Sequence, residues 1–259
     1  MSDIIALITK KGGSGKTTTA QALTAGFTAK GLKVLAIDLD GQANLTYSMG
    51  VNADGVTIFD VLTGAVNIRD AVHHTDRGDI ITANSRLDLA DMKLTGAGRN
   101  LLLKNVLEGL RLEYDLIILD TLPFFGVLTL NALAASNGVI IPAKADVFNL
   151  NMFKRTCDML NSVHQALNAD LKLYGVLLTH FKPNTKNTRD LLGLFEQEAK
   201  EQGTHIFNSK IRETVSIQTA QAMQKDILTY QPKSNAAQDY NAFIDELESL
   251  IKNGDNNNG

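Results

Sequence analysis

Residues 4 to 31, IIALITKKGGSGKTTTAQALTAGFTAKG, constrain the fold more than any other stretch of the chain. An apolar run at 4 to 9 reads as a buried strand, a glycine-rich turn follows, and 16 to 30 reads as a helix closed by Gly31. Strand, glycine-rich loop and helix in that order separate a P-loop from a chance cluster of glycines. Gly12, Gly13 and Gly15 lack Cβ atoms, so the backbone can turn tightly and aim its N–H groups at phosphate oxygens. The N-terminus of the following helix adds a favourable dipole. Lys16 would then reach the β- and γ-phosphates of a nucleotide, the Thr17 hydroxyl would ligate Mg²⁺, and Thr18 would donate to the α-phosphate.

The loop departs from the ordinary pattern G-x-x-x-x-G-K-[ST], which asks for glycine at position 10, where this chain has Lys10. It reads instead as K-G-G-x-G-K-T, with Lys11 ahead of the first glycine. Lys10 itself reads as a solvent-facing base at the edge of the loop.

Further runs rich in Ile, Val and Leu recur at 33 to 38, 78 to 83, 114 to 120, 138 to 143, 171 to 180 and 205 to 208, separated by segments of helical period. The main helices are expected at 16 to 30, 98 to 112, 126 to 136, 149 to 167, 187 to 202 and 236 to 252. Shorter ones are expected at 43 to 49, 57 to 63, 68 to 74, 85 to 94 and 215 to 223. Alternating strands and helices predict a single α/β domain of P-loop NTPase type over 1 to 252, a mostly parallel, twisted β-sheet with helices on both faces. The polar NGDNNNG at 253 to 259 reads as a disordered tail.

Two aspartate motifs belong with the loop. In AIDLDGQANLT (36 to 46), Asp38 and Asp40 have the spacing that puts both carboxylates on one side of an extended segment. In YDLIILDTLP (114 to 123), an apolar run ends in Asp120, the Walker B arrangement in which a carboxylate at a strand's C-terminal end holds the water shell of Mg²⁺. Either aspartate alone reads more readily as a helix cap or a solvated loop acid. Together with the P-loop, Asp40 and Asp120 fall at three strand ends on one rim, where open α/β sheets bind ligands.

These motifs resemble the deviant Walker A ATPases and, within them, the ParA/Soj partition proteins. Lys11 matches the family's signature lysine, DLDGQANLT is similar to D-x-D-P-Q-G-N-x-T, and LDTLPFFG resembles D-T-P-P-x-x-G. Gly41, Ala43 and Leu122 stand where the family has proline, glycine and proline, and no charged position is altered. The 211 to 243 stretch resembles the family's C-terminal segment, although I-P-R-N-x-R-L-S-E-A-P is poorly matched by IRETVSIQTAQ. The resemblance implies slow, Mg²⁺-dependent ATP hydrolysis in a homodimer that sandwiches two ATP molecules. Lys11 would cross to the partner's phosphates, Asp40 would orient the attacking water and take part in the metal site, and Asp38 would brace the switch loop. Gln42 and Asn44 would sense the γ-phosphate.

It also implies non-specific DNA binding by the ATP-bound dimer, plasmid or chromosome partition, a ParB-like adaptor protein that stimulates hydrolysis, and a cytoplasmic, nucleoid-associated location. The net charge of −3 asks for a local basic patch. Lys182, Lys186 and Arg189, with Lys210 and Arg212, are the candidate, though a solvated charged face would read the same.

The alternative is a MinD-like ATPase, or another ParA relative, that positions a membrane or protein cargo. The C-terminal stripe Phe243, Ile244, Leu247, Leu250 and Ile251 has an acidic polar face that anionic lipid would repel, so it reads as core packing. The N-terminus enters the first strand with no basic leader, and no apolar stretch is long enough to span a bilayer, so neither secretion nor a membrane span is expected. The single cysteine, Cys157, excludes a disulfide framework and a cysteine-paired metal cluster, fits a reducing compartment, and reads as a small buried hydrophobe. No tyrosine follows Tyr240, which argues against a kinase with a tyrosine-rich tail, and adjacent His73 and His74 carry no metal-ligand spacing.

Overall fold

The computed structural model describes residues 2–183 and 186–256, with the side chains at 186, 187 and 254–256 outside the description. Its strands are β1 (Asp3–Leu7), β2 (Val34–Leu39), β3 (Val72–His73), β4 (Asp79–Ile81), β5 (Leu116–Thr121), β6 (Gly138–Lys144) and β7 (Lys172–Thr179). They form one sheet in the order β3-β4-β2-β5-β1-β6-β7, parallel except for the antiparallel β3–β4 pair.

Around the sheet lie α1 (Lys16–Ala29), α2 (Asn44–Ser48), α3 (Ile58–Leu62), α4 (Ala90–Lys93), α5 (Leu102–Leu107), α6 (Val127–Ala135), α7 (Val147–Ala166), α8 (Lys186–Glu201), α9 (Val215–Ala222), α10 (Ile227–Tyr230) and α11 (Asn235–Asn256).

The period of two along each strand divides its side chains between two cores. Ile4, Ala6, Leu35, Ile37, Ile117 and Leu119 enter one, which α5, α6, α7 and α8 cover. Ile5, Leu7, Val34, Ala36, Leu116 and Ile118 enter the other, beneath α1, α10 and α11. Each fully buried Ile, Leu or Phe contributes about 1.5–3 kcal/mol, and burial on both sides is why the strands read as continuous apolar runs. Helix α11 lies directly on the P-loop helix: a Cβ at Gly26 would collide with Ile244 Cδ1, and Thr19 Oγ1 and Tyr240 Oη share a hydrogen bond of 3.2 Å.

Several local expectations change. The 205 to 208 run is not a strand; Ile206 makes one isolated bridge to Val176, after which Phe207 turns under α11 against Phe243. The 68 to 74 helix is a 3-10 turn (Ile68–Ala71) that straightens into β3. The 98 to 112 helix shortens to α5, flanked by Gly98 and Gly109, which weaken a helix by about 1 kcal/mol each relative to alanine. Helix α10, capped by the Asp226 carboxylate on Thr229 N–H at 2.9 Å, was not expected. Helix α11 continues past 252 to Asn256, into the expected tail, of which 257 to 259 lie outside the described residues.

Candidate functional site

The register places Leu7 beside Asp120 and Asp120 beside Asp38, so the ends of β1, β5 and β2 are direct neighbours. The loop after β1 turns through left-handed Gly13 (φ 70°) and Gly15 (φ 88°), and a Cβ on Gly15 would sit 3.3 Å from Thr179 Cγ2. Gly12 is exposed, with no atom within 4 Å of a would-be Cβ, so the space beside it is open to an incoming group. Helix α1 begins at Lys16 with no side-chain cap and no acid in its first turn. Its first N–H groups and dipole are left for an external anion. Lys16 is 7% exposed; burial lowers its pKa, against the pull of Asp120 and Asp40.

Asp38 braces the segment after β2. It accepts from Asp40 N–H (3.1 Å), Thr46 N–H (2.9 Å) and the Thr46 hydroxyl (2.8 Å), while burial pushes its pKa up to about 6. Asp40 is half-buried on the cleft and accepts from Gln42 N–H at 3.0 Å. Ala43, at the family's glycine position, adopts φ 53° and ψ 35°. At Gly41 a Cβ would meet the end of the exposed Asp88 side chain, which can swing aside.

Asp120 is 1% exposed and neither carboxylate oxygen has a hydrogen-bond partner. Burial, and then the charge of Asp38, push its pKa up to about 8, with Lys16 and the nearby Thr17 hydroxyl opposing. An unpaired buried carboxylate beside Lys16 and Thr17 calls for a cation or its water shell. Among the described residues no group of three His, Cys, Asp or Glu side chains could hold a metal. One or two carboxylates completed by phosphate oxygens and water is the donor set Mg²⁺ uses, so Thr17, Asp120 and Asp40 fit that ion.

The two extra lysines diverge. Lys11 is absent from the lining of the phosphate cleft; its Nζ lies 3.3 and 3.4 Å from the Asp146 carboxylate and 5.2 Å from the Phe148 ring. Asp146 also caps α7 through Asn149 N–H at 2.8 Å. Burial raises the Asp146 pKa, but the Asn149 hydrogen bonds and Lys11 together hold it below the ordinary value. Lys10 is exposed, as expected, and stacks its Nζ 4.4 Å from the Phe125 ring.

Gly12, Gly13, Gly15, Lys16, Thr17, Thr18 and Asp40 line a cleft of about 600 Å³ with Gln42, Asn44, Tyr47, Pro123 and Gln221. It runs through Gly13, Gly15, Thr18 and Gln221 into a pocket of about 220 Å³ walled by Thr179, His180, Ile211, Ile217 and Tyr240. A planar base attached to phosphates in the cleft would lie there. Sequence reasoning missed this wall. Thr179, whose hydroxyl donates to Ser14 C=O at 2.8 Å, ends a strand that was foreseen, so the strand-end rule could have found it. Lys144 likewise ends β6, its Nζ 3.8 Å from a would-be Cβ on Gly13. Burial lowers the His180 pKa, and Lys144 adds to the effect. Gln221, donating to Thr18 Oγ1 at 2.9 Å, comes from a distant helix and carries no local signal.

The basic cluster is only partly assembled. A parallel bridge between Phe181 and Arg212 brings Lys182 beside that arginine. Lys182 pairs with Glu213 at 2.6 Å, Arg212 forks onto Asp239 at 2.6 to 3.1 Å, and Lys210 donates to the carbonyls of Phe207 (3.2 Å) and Asn208 (3.0 Å). Arg189 is exposed on α8, and the Lys186 side chain lies outside the described residues. On α11, Phe243, Ile244 and Leu247 are buried and Leu250 and Ile251 pack against the same core, as the sequence reading expected. Among the described residues no helix is long and apolar enough to cross a membrane.

Comparison with known proteins bears on this site directly. Residues 2–173 match the family described as AAA domain. The chain is 33% identical over 261 residues to the sporulation initiation inhibitor protein Soj of Bacillus subtilis, covering 98% of this chain and 100% of that protein. It is 34% identical to the chromosome-partitioning ATPase Soj of Thermus thermophilus, covering 96% of each. The structure of cobyrinic acid a,c-diamide synthase from Mycobacterium smegmatis, solved with ADP and magnesium, superposes with a TM-score of 0.86 at 32% identity, covering 98% of this chain and 97% of that one. With its K-G-G-x-G-K-T loop, paired aspartates and Walker B carboxylate on one sheet edge, the chain belongs to the ParA/Soj family of P-loop ATPases.

Proposed function

We propose that this protein is a Mg²⁺-dependent ATPase whose ATP-bound form is a face-to-face homodimer that binds DNA non-specifically and drives plasmid or chromosome partition. The observation that carries the reading is the division of labour between two lysines: Lys16 is buried in its own cleft, whereas Lys11 stands outside it. Lys16, the P-loop N–H groups and Thr18 hold the phosphates of the chain's own ATP. Lys11 serves the partner's ATP in trans, a contribution of the arginine-finger kind, worth about 10³ to 10⁵ in rate in other NTPases.

Thr17, Asp120 and Asp40 would hold Mg²⁺, which would supply charge neutralisation for the phosphates of the bound nucleotide. Asp40 also orients the attacking water, and Gln42 and Asn44, exposed at the cleft, sense the γ-phosphate.

For DNA, Arg189 and Lys186 on α8 and Lys182 before it make the phosphate contacts, Lys182 exchanging Glu213 for phosphate. Lys210 and Arg212 support them at the neighbouring wall. One protomer's patch binds weakly, with non-specific constants of about 10⁻⁴ to 10⁻⁶ M, and a dimer doubles it on one object. A cytoplasmic, nucleoid-associated protein regulated by a ParB-like adaptor fits this chemistry. Fluorescence anisotropy with a random-sequence duplex tests it: tight binding is expected with ATP and weak binding with ADP, and equal affinity in the two states would refute the switch. The MinD-like alternative needs a lipid-facing C-terminal helix, and burial of the α11 stripe argues against that.

A further inference from the structure

Arg77 lies in the turn before β4 and lines neither the phosphate cleft nor the base pocket, yet it joins two walls of the cleft. Its side chain is 16% exposed. Nη2 donates to Met49 C=O at 2.6 Å, and Nη1 donates to Gln224 C=O at 2.9 Å and to Ser48 C=O at 3.4 Å. Ser48 ends α2 and Met49 caps it, and Gln224 follows the end of α9. One guanidinium thus closes the C-termini of two helices, where unpaired carbonyls favour a cation. Ser48 C=O also accepts from Gln21 Nε2 of α1 at 2.6 Å, which ties the junction to the P-loop helix. From α2, Asn44 and Tyr47 face the cleft; from α9, Gln221 holds Thr18.

We infer that Arg77 is a positioning residue that pins the segment after β2 to α9 and so sets the nucleotide cleft in its γ-phosphate-sensing shape. The inference rests on the reading that Gln42 and Asn44 sense that phosphate. A planar fork can reach carbonyls of two helices at once; a lysine ammonium restores the charge but not the fork.

The test measures affinities of the full chain for a non-hydrolysable ATP analogue and for ADP, both with Mg²⁺, in wild type, Arg77→Gln and Arg77→Lys, with thermal melting of each. Loss of one charge-assisted hydrogen bond corresponds to about tenfold in affinity. Arg77→Gln is expected to weaken the ATP analogue about tenfold or more while ADP changes less than about threefold. Arg77→Lys is expected to recover only part of that preference, and it carries the test if the glutamine variant does not fold. A purely structural role would lower the melting temperature and weaken both nucleotides alike. Equal losses, or no loss, in a background where wild type prefers the ATP analogue would overturn the inference alone. Wild-type protein that holds both nucleotides equally would overturn the γ-phosphate reading and this inference with it.

Discussion

Replacing Asp120 with asparagine should stabilise the nucleotide-free protein at pH 8 while removing Mg²⁺-dependent hydrolysis. The carboxyl is buried with neither oxygen in a well-formed hydrogen bond, and burial first, then Asp38, move its pKa from 3.8 to about 8. Between those values the unfolded chain has released the proton and the folded chain has kept it. Folding therefore takes up a proton, and stability falls as pH rises through that window. Each pH unit between the two values is worth ~1.4 kcal/mol, which sets a ceiling on the order of 5 kcal/mol at pH 8. Relaxation and water entry recover part of a buried charge's solvation, so the expected gain for Asp120→Asn is on the order of 2–3 kcal/mol.

At pH 4 and below, a protonated carboxyl and an amide are close in size and polarity, and the two proteins should match. A residual slope between about pH 4 and 6 belongs to Asp38, pushed up to about 6, which the variant retains. Urea unfolding followed by circular dichroism, in EDTA at steps from pH 4 to 8, measures the difference. A variant no more stable than wild type at pH 8, or a gain that does not grow with pH, would refute the picture of an unpaired carboxylate awaiting a cation. Mg²⁺ with an ATP analogue should reverse the order by stabilising wild type more than the variant.

Three further outcomes follow from the site. Lys11→Ala should bind ATP as a monomer within about threefold of wild type while phosphate release falls by about 10³ or more; normal hydrolysis would contradict the trans role. Asp146→Asn keeps an α7 cap but removes the ion pair holding Lys11, an exposed contact worth about 0.2–1 kcal/mol. The ATP-dependent dimer should then tighten by up to about fivefold per protomer, read by sedimentation, and a weakened dimer would count against it. Ala43→Gly relieves a left-handed alanine, worth about 1–2 kcal/mol, against about 0.4–1 kcal/mol of added unfolded-state entropy. A small rise in melting temperature is expected, and a fall would show that the Cβ packs more favourably than its backbone is strained.

Much of this site was legible because P-loop chemistry is local. Gly12 to Thr18, Asp38, Asp40 and Asp120 each stand at the end of an apolar run, and a parallel sheet brings such ends to one rim. What escaped depends on distant partners. The base pocket needs α9 and the segment around Ile211 folded back against the P-loop, and nothing near Gln221 announces Thr18. Arg212 and Lys182 read as free positive charge until the fold supplies Asp239 and Glu213. Lys10 had no role in the sequence, and its contact with Phe125 becomes visible only when the loop after β5 comes alongside. Short strands fared worst: β3 and the 205 to 208 run are too brief for a period of two to separate them from turns.

Lys16 should serve the chain's own ATP and Lys11 the partner's. Sedimentation velocity of Asp40→Ala protein, in which hydrolysis is expected to stop while ATP stays bound, tests it most directly when compared with the Lys11→Ala, Asp40→Ala double variant. A dimer is expected for the single variant with Mg²⁺ and ATP, a monomer with ADP, and a monomer for the double variant with either nucleotide. A single variant that stays monomeric with ATP, or a double variant that still dimerises, would contradict it.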